Sequence, residues 1–442
     1  MPTPSCFRPG VRVEPKFDGD YTFNTGHVKS FTILDYTIFL LSLLIPTLIG
    51  FHQAWRGNTE LDDYMLARRS MSYIPVGLSL LASFLSAITT IGAPAEIYEH
   101  DTLYVWVGLS FCIVSAASAH IYMPVFYKLK INSVYEYLEL RFSRKVRTVG
   151  SCLFVIQMVV YMAIVLYAPS IAFNAVTGLN LWAAIVSVGL VCTLYVTVGG
   201  VRAVIWADSF QIFVMFGSAL AMLFAAMATV GTTTMWESAQ RTERVLFLDF
   251  SLNPTLRHSV WNLFFGGGFS YLALYVNQAQ VHRCLTCRTL REVKIALWMS
   301  FPGHFLYLAL CLIIGLYMGA FYENCDPLQA KLVANANELT PLFTQDILSI
   351  VPGLPGIYLA GVFSATLSTI SSGLNSISMV ILEDYIRVYV KSKLKQDKER
   401  LILQIVSVIF GFVCLEITFL VSKFGGILEV KILNALDTQD IH

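Results

Sequence analysis

Long apolar runs of about twenty residues or more alternate with short polar connections along most of this chain. A hydrocarbon core about 30 Å thick takes roughly 20 helical residues at about 1.5 Å each. On that measure ten spans are predicted, at 33–53, 73–97, 103–127, 146–175, 180–198, 203–231, 257–281, 293–322, 354–387 and 400–422. Two are interrupted. The span 73–97 carries Gly77, Ser79, Ser83, Ser86, Thr89, Thr90, Gly92 and Pro94. Such residues weaken backbone hydrogen bonding, which a bilayer tolerates only where the freed groups face protein or a cavity. Two readings stay open: a tightly packed interior helix, since small residues let helices approach, or a locally unwound, ligand-binding one. The run "FFGGGFSYLALYVNQAQVHRCL" at 264–285 repeats the pattern about 190 residues later. Gly266, Gly267 and Gly268 mark its predicted weak point, and Tyr271, Tyr275, Asn277 and Gln278 follow. Interrupted spans at corresponding places in two halves point to a transporter built from inverted repeats, here spans two to six and seven onward.

The ninth span contains "SATLSTISSGLNSIS", residues 364–378. At 100° per residue, Ser364, Ser368, Thr369, Ser371, Ser372, Ser376 and Ser378 share one half of the cylinder, with Thr366 off it. Leu367, Ile370, Leu374 and Ile377 take the other side with Phe363. A polar half inside a membrane must face protein or water. Hydroxyls bonded back to their own helix are the simpler reading. A shared face of hydroxyls and carbonyls is also the hard-oxygen surface that a small alkali cation prefers. Asp208, in "GGVRAVIWADSFQIF", reads either as an interfacial carboxylate near Arg202 or as a buried one whose partner is a monovalent cation.

Composition sharpens the class. With 442 residues, 56% hydrophobic and 13% charged, this is one polytopic membrane domain. A net charge of +1 implies no nucleic-acid partner. Of thirty Lys and Arg, twenty fall in the loops after the odd-numbered spans or in the span ends that adjoin them, and four in or beside the intervening loops. The positive-inside bias therefore places both termini outside, with residues 1–32 an extracellular tail and no cleavable signal peptide expected. Residues 423–442 form a short divergent tail, too short and polar to cross. The nine cysteines show no disulfide framework. Cys284 and Cys287 have CxxC spacing but lie in a predicted cytoplasmic loop without further ligands, so no transition metal is expected. Cys6 and Cys325 both fall outside, where a pair can form. No constellation of His, Asp and Cys suggests an enzyme.

Several stretches carry a resemblance: "LDDYMLARRSMSYIPVGLSLLASFLSAITTIGAPAEIY", "VTVGGVRAVIWADSFQ", "NQAQVHRCL", "DPLQAKL" and "PGLPGIYLAGVFSATLSTISSGLNSISMVILEDYIR". Over roughly residues 30–428 the chain resembles the sodium:solute symporters, above all the branch of monocarboxylate, multivitamin and iodide transporters. The resemblance implies an all-α, leucine-transporter-type inverted-repeat fold with sodium and substrate bound mid-membrane. It implies a sodium site made by the carbonyls of Ala82 and Leu85 with Ala365, Ser368 and Thr369. A second sodium site would use Asp208, Ser371 and Ser372, with Ser368 shared. The substrate pocket would be lined by Phe84, Ser86, Ile88 and Thr89, with Tyr271 and Tyr275. Thr89 stands where the iodide transporter has glutamine, which argues against iodide.

The function so implied is sodium-coupled symport of a small organic anion, a monocarboxylate or carboxylate vitamin, at the plasma membrane. Sodium is the coupling ion and no other cofactor is expected; the partners are the anion, sodium and the bilayer. With no Lys or Arg expected mid-span, the carboxylate would meet half-helix N-termini and hydroxyls. Relatives continue past "SKFGGILE" into further spans, whereas this chain reads "VKILNALDTQDIH" and ends, one core helix short. A non-transporting, regulatory or dominant-negative form is therefore the alternative reading.

Overall fold

The computed structural model describes residues 7–8, 11–12, 31–55, 60–177, 180–253, 255–323, 326–330, 333, 335–348, 351–390 and 395–423. Cys6, Cys325 and the tail beyond 423 lie outside them. Apart from the two-residue strands β1 (Phe7–Arg8) and β2 (Val11–Arg12), paired antiparallel, the described chain is helical or loop. Helix α1 spans Ile33–Trp55. The second apolar segment is two helices, α2 (Tyr73–Phe84) and α3 (Ala87–Glu99), bent by 57°. Next come α4 (Val105–Ala117), continued by a π turn at Ser118–Tyr122, and α5 (Arg144–Thr177).

Helix α6 (Leu181–Val230) runs for 50 residues with one non-helical position, Gly200 (φ 62°, ψ −163°). At about 1.5 Å per residue it is more than twice as long as a bilayer core is thick, so it accounts for both the fifth and sixth apolar segments. A side chain at Gly200 would run into Tyr64, and its φ favours glycine. The seventh segment consists of a π turn (Trp261–Gly266), α7 (Gly267–Tyr275) and α8 (Gln278–Cys284). Then follow α9 (Leu290–Phe321), α10 (Leu339–Leu348), α11 (Leu354–Val380) and α12 (Gln396–Lys423). Among the described residues, seven helices are long and apolar enough to cross a membrane, or eight with the bent α2–α3 pair.

The hydroxyl-bearing helix α11 is the axis of the molecule. It packs against α6, α5, α1, α12 and α2, and 94% of its apolar window is buried. Its polar half faces protein, and its apolar half is equally enclosed. Leu367, Leu374 and Ile377 are as inaccessible as the serines. Its start is fixed from another helix: Asp35 of α1 accepts hydrogen bonds on Oδ1 from the Gly353 and Gly356 amides, at 3.1 and 2.8 Å. These are helix N-terminal N–H groups without an intrahelical acceptor, so the carboxylate acts as a cap supplied in space. At the other end, in the π turn Ile381–Ile386, Asp384 accepts from Arg147 (2.7 Å) and Ser133 (2.6 Å), tying α11 to α5 and to the start of the short helix Val134–Arg141.

Candidate functional site

The chain unwinds between α2 and α3. Leu85 (φ −82°, ψ 72°) leaves helical geometry, and Ser86 becomes the N-cap of α3, its Oγ accepting from the Thr89 amide at 3.4 Å. Of the two readings of this segment, the structure has the unwound one. The break lies at neither Gly77 nor Gly92 nor Pro94; Gly77 is where α9 approaches, since a Cβ there would press on the Ala296 carbonyl.

Helix α11 passes beside the break. Ser368 Oγ is 3.0 Å from both the Ala82 and the Ala365 carbonyl oxygens, and Thr369 Oγ1 is 3.1 Å from Ala365 O. Four expected sodium ligands therefore meet, Ala82 from α2 and Ala365, Ser368 and Thr369 from α11, with Leu85 buried at the break. The simpler reading of the serines also holds: Ser371 donates to Ser368 O at 3.1 Å, Ser376 to Ser372 O at 2.8 Å and Ser378 to Asn375 O at 2.9 Å. Back-bonding leaves hydroxyl lone pairs available, so the two readings coexist. Ser364 Oγ, buried, has no hydrogen-bond partner among the described residues.

Asp208 on α6 is fully buried and not interfacial. Its expected neighbour Arg202 instead pairs with Asp63 at 3.0 Å. Asp208 Oδ2 accepts from Ser79 Oγ at 2.5 Å and lies 3.3 Å from Arg283 Nη2, while Oδ1 has no hydrogen bond and Ser371 stands beside the carboxylate. Ser372 faces elsewhere, into the cavity described below. Arg283 overturns two expectations, that 282–288 is a solvated loop and that no cation lies deep in the protein. It is 2% exposed and also reaches Ser83 Oγ and Gln280 Oε1. Around it, Gln278 binds Asn132 O and the Val134 amide, and His282 binds Met65 O, which hold α8 inside the protein. Cys284 and Cys287 are buried with it. The break in this segment falls at Val276–Asn277, where Asn277 caps α8 by accepting from the Gln280 amide at 3.2 Å. The glycine triplet is not the weak point: Gly267 and Gly268 let α4 approach at Ser110 and Ile113.

A cavity of about 470 Å³ opens between these elements. Ser83, Phe84, Thr369 and Ser372 line it, with Gln157 and Tyr161 of α5 and Asn277 and Gln280 at the second break. Of the expected substrate residues only Phe84 is on its wall. Tyr275 stacks on the back of Phe84 with ring centroids 4.0 Å apart, in an aromatic cluster with Phe111, Tyr271 and His304. Ser86 reaches the cavity through a hydrogen bond with Tyr161, and Thr89 Oγ1 is 3.4 Å from Ser86 Oγ. Ile88 is half-buried and lies outside the lining.

Two polar residues escaped the sequence reading. Gln157 was a lone amide in an apolar run, which is itself a signal. Gln211 is fully buried and neither amide atom has a hydrogen-bond partner among the described residues. Antiparallel packing explains where it lies. Ser218 of α6 abuts Gly361 and Asp208 stands at Ser371, ten residues further on along each helix, so Gln211 is level with Ser368.

The sequence of the sodium:solute symporter family matches residues 64–433. The chain belongs to the sodium:solute symporter family. It is 40% identical over 411 residues to sodium-coupled monocarboxylate transporter 1 of Xenopus laevis, covering 92% of this chain and 66% of that protein. It is 39% identical to the sodium-dependent multivitamin transporter of Oryctolagus cuniculus (91% and 64%) and 38% to the human sodium/iodide cotransporter (91% and 63%). The chain thus spans about two thirds of the length of these relatives, which are transporters and not enzymes. A substrate-bound, outward-open Na+-coupled sialic acid symporter shares the fold, with a TM-score of 0.81 at 24% identity over 89% of this chain and 83% of that one. This symporter-family member is accordingly an all-α, multi-pass membrane protein of the leucine-transporter type.

Proposed function

We propose that this chain carries out sodium-coupled symport of a small organic anion, a monocarboxylate or a carboxylate vitamin, across the plasma membrane with its N-terminus outside. The observation that carries the reading is the meeting of Ser368 Oγ with the Ala82 and Ala365 carbonyls at 3.0 Å, beside the break in the second segment. An ion held there by Ala82, Leu85, Ala365, Ser368 and Thr369 links α2 to α11, and its binding energy is available only to the conformer in which they touch. A second, weaker ion position is Asp208 Oδ1 with Ser371. Arg283 already neutralises the other oxygen, so that ion would bind with less charge attraction than a free carboxylate provides.

The 470 Å³ cavity is the substrate's path on the side of the basic loops. It offers Gln157, Tyr161, Asn277 and Gln280 to a carboxylate and Phe84, Phe154 and Met158 to an apolar body. Relatives named for monocarboxylates and vitamins support this class.

The test is uptake of labelled lactate, biotin, pantothenate and iodide by cells expressing this chain, or a form extended to the length of its relatives, with sodium or choline outside. Uptake of a carboxylate in sodium alone is expected. Ser368→Ala should raise the sodium concentration for half-maximal uptake by about tenfold, equivalent to one lost oxygen ligand worth about 1.4 kcal/mol. Unchanged sodium dependence would overturn the assignment.

A further inference from the structure

Between the short helix Leu61–Leu66 and the start of α2 the backbone makes a left-handed turn. Ala67, Arg68 and Arg69 have φ of 49°, 52° and 49° in succession. In an L-residue this geometry brings Cβ close to the following carbonyl oxygen, so such residues occur singly and are mostly Gly, Asn or Asp. Here three stand in a row and none is glycine, which alone adopts the region without penalty. Strain of this kind persists only where the surroundings over-determine it.

The surroundings are two other helices and the turn's own exit. Arg202 lies two residues past the irregular Gly200 of α6. Its Nη2 is 3.0 Å from Asp63 Oδ1, 3.2 Å from Ala67 O and 3.0 Å from Ser70 Oγ, so one guanidinium grips residues before, within and after the turn. Ser70 closes it, donating to Ala67 O from its amide at 3.1 Å and from Oγ at 2.7 Å. Beyond the end of α8, Thr286 O accepts from the Met71 amide at 3.0 Å, and Arg288 Nε donates to Ser70 O at 2.9 Å. The root of α2, the half-helix that carries Ala82 to Ser368, is thus tied to α6 and to the exit of α8, the elements that hold Asp208 and Arg283.

We propose that Ala67–Arg69 is a strained latch at the root of α2, held left-handed by Arg202 and Arg288 while the cavity opens towards the basic loops, and relaxed when α2 swings to close it. The proposal rests on the symport reading, which requires the cavity to open to each side in turn. The hydrogen bonds favour the conformer seen here and the backbone opposes it, a balance that leaves an element bistable. Strain confined to one conformer biases the population against it. Arg202 is a positioning residue, acting on α2 through the turn.

The experiment replaces Arg68, whose side chain is half exposed and pairs with Glu60 at 3.3 Å. Arg68→Gly and Arg68→Ala both remove that pair, and glycine alone relieves the backbone. In the purified full-length chain in detergent, Arg68→Gly should unfold at a higher temperature than Arg68→Ala. The conformer is read from the reaction of Gln157→Cys, on the cavity wall, with a bulky thiol reagent, corrected for the Cys152→Ser background in which it is made. In whichever of sodium or choline gives the slower reaction with Arg68 in place, Arg68→Gly should react about fivefold faster than Arg68→Ala, equivalent to about 1 kcal/mol. Arg202→Gln should slow the reaction. Equal midpoints for the glycine and alanine variants would overturn the strain. A raised midpoint with equal rates would place the strain in both conformers and overturn the latch. A lowered midpoint with an unchanged rate in Arg202→Gln would make that arginine merely structural and overturn its role. Neither readout uses uptake, so a failure here and a failure of sodium symport are separate results.

Discussion

Asp208 and Arg283 are a buried pair whose members come from segments 75 residues apart. Removing one charge from such a pair leaves the other uncompensated, which costs about 3–5 kcal/mol, whereas replacing both with apolar residues is often close to neutral. Arg283→Leu should therefore lower the thermal unfolding midpoint sharply in detergent micelles, and Asp208→Leu with Arg283→Met should recover most of it. Gln211 makes the opposite case. Its amide is buried without partners, so Gln211→Leu should stabilise the sodium-free protein by about 1–2 kcal/mol, measured by the same unfolding assay. His258, between Asp101 and Glu96, gives a pH dependence. Against burial, which lowers it, those carboxylates raise its pKa from 6.5 to about 9, so its contribution is fully present below pH 6.5 and lost as pH rises through about 9. Wild type and His258→Gln should differ most in unfolding midpoint at pH 6 and converge by pH 10. Residue types made Asp208 legible in the sequence as a candidate buried carboxylate. Its partner was not, because Arg283 stands in a basic stretch that reads as a solvated loop until Gln278 and His282 are seen anchoring it.

At the scale of elements, the decisive features are helix ends inside the protein. The two breaks, at Leu85–Ser86 and Val276–Asn277, each expose a cap residue that accepts a hydrogen bond from the amide three positions on. The sequence marked both segments as interrupted, since helix breakers and hydroxyls are costly in an uninterrupted span. It misplaced the second break, because glycine signals either a weak point or a close approach, and Gly267 and Gly268 serve approach. The start of α11 is a further case. A Cβ on Gly356 would come within 2.5 Å of the Asp35 Cα. Gly356→Ala should thus separate α1 from α11 and lower the unfolding midpoint more than Asp35→Asn, which keeps an acceptor oxygen at the cap.

For the molecule as a whole, the cavity lies in the half nearer the basic loops, whereas α3 and the loop carrying His258 are tied together at the opposite face. Access should follow. With Cys152 replaced by serine, a cysteine at Gln157 should react with a membrane-impermeant thiol reagent from the basic-loop side only, and sodium should slow the reaction. Labelling from the other side would reverse the orientation of the cavity.

The sequence by itself determined that this is a membrane-embedded helical protein, where its apolar segments run, which two are interrupted, and that one helix carries a hydroxyl face. Those properties follow from hydropathy, helical periodicity and the cost of unpaired backbone in hydrocarbon, all of them local. Only the tertiary structure decided that Ser368 meets Ala82, that Asp208 faces Arg283 and not Arg202, that Tyr275 backs Phe84 behind the cavity wall, and that His258 stands between Asp101 and Glu96. Each depends on which helices lie side by side and in what register, and in a chain this uniformly apolar many registers satisfy the same pattern of hydrophobic and polar positions.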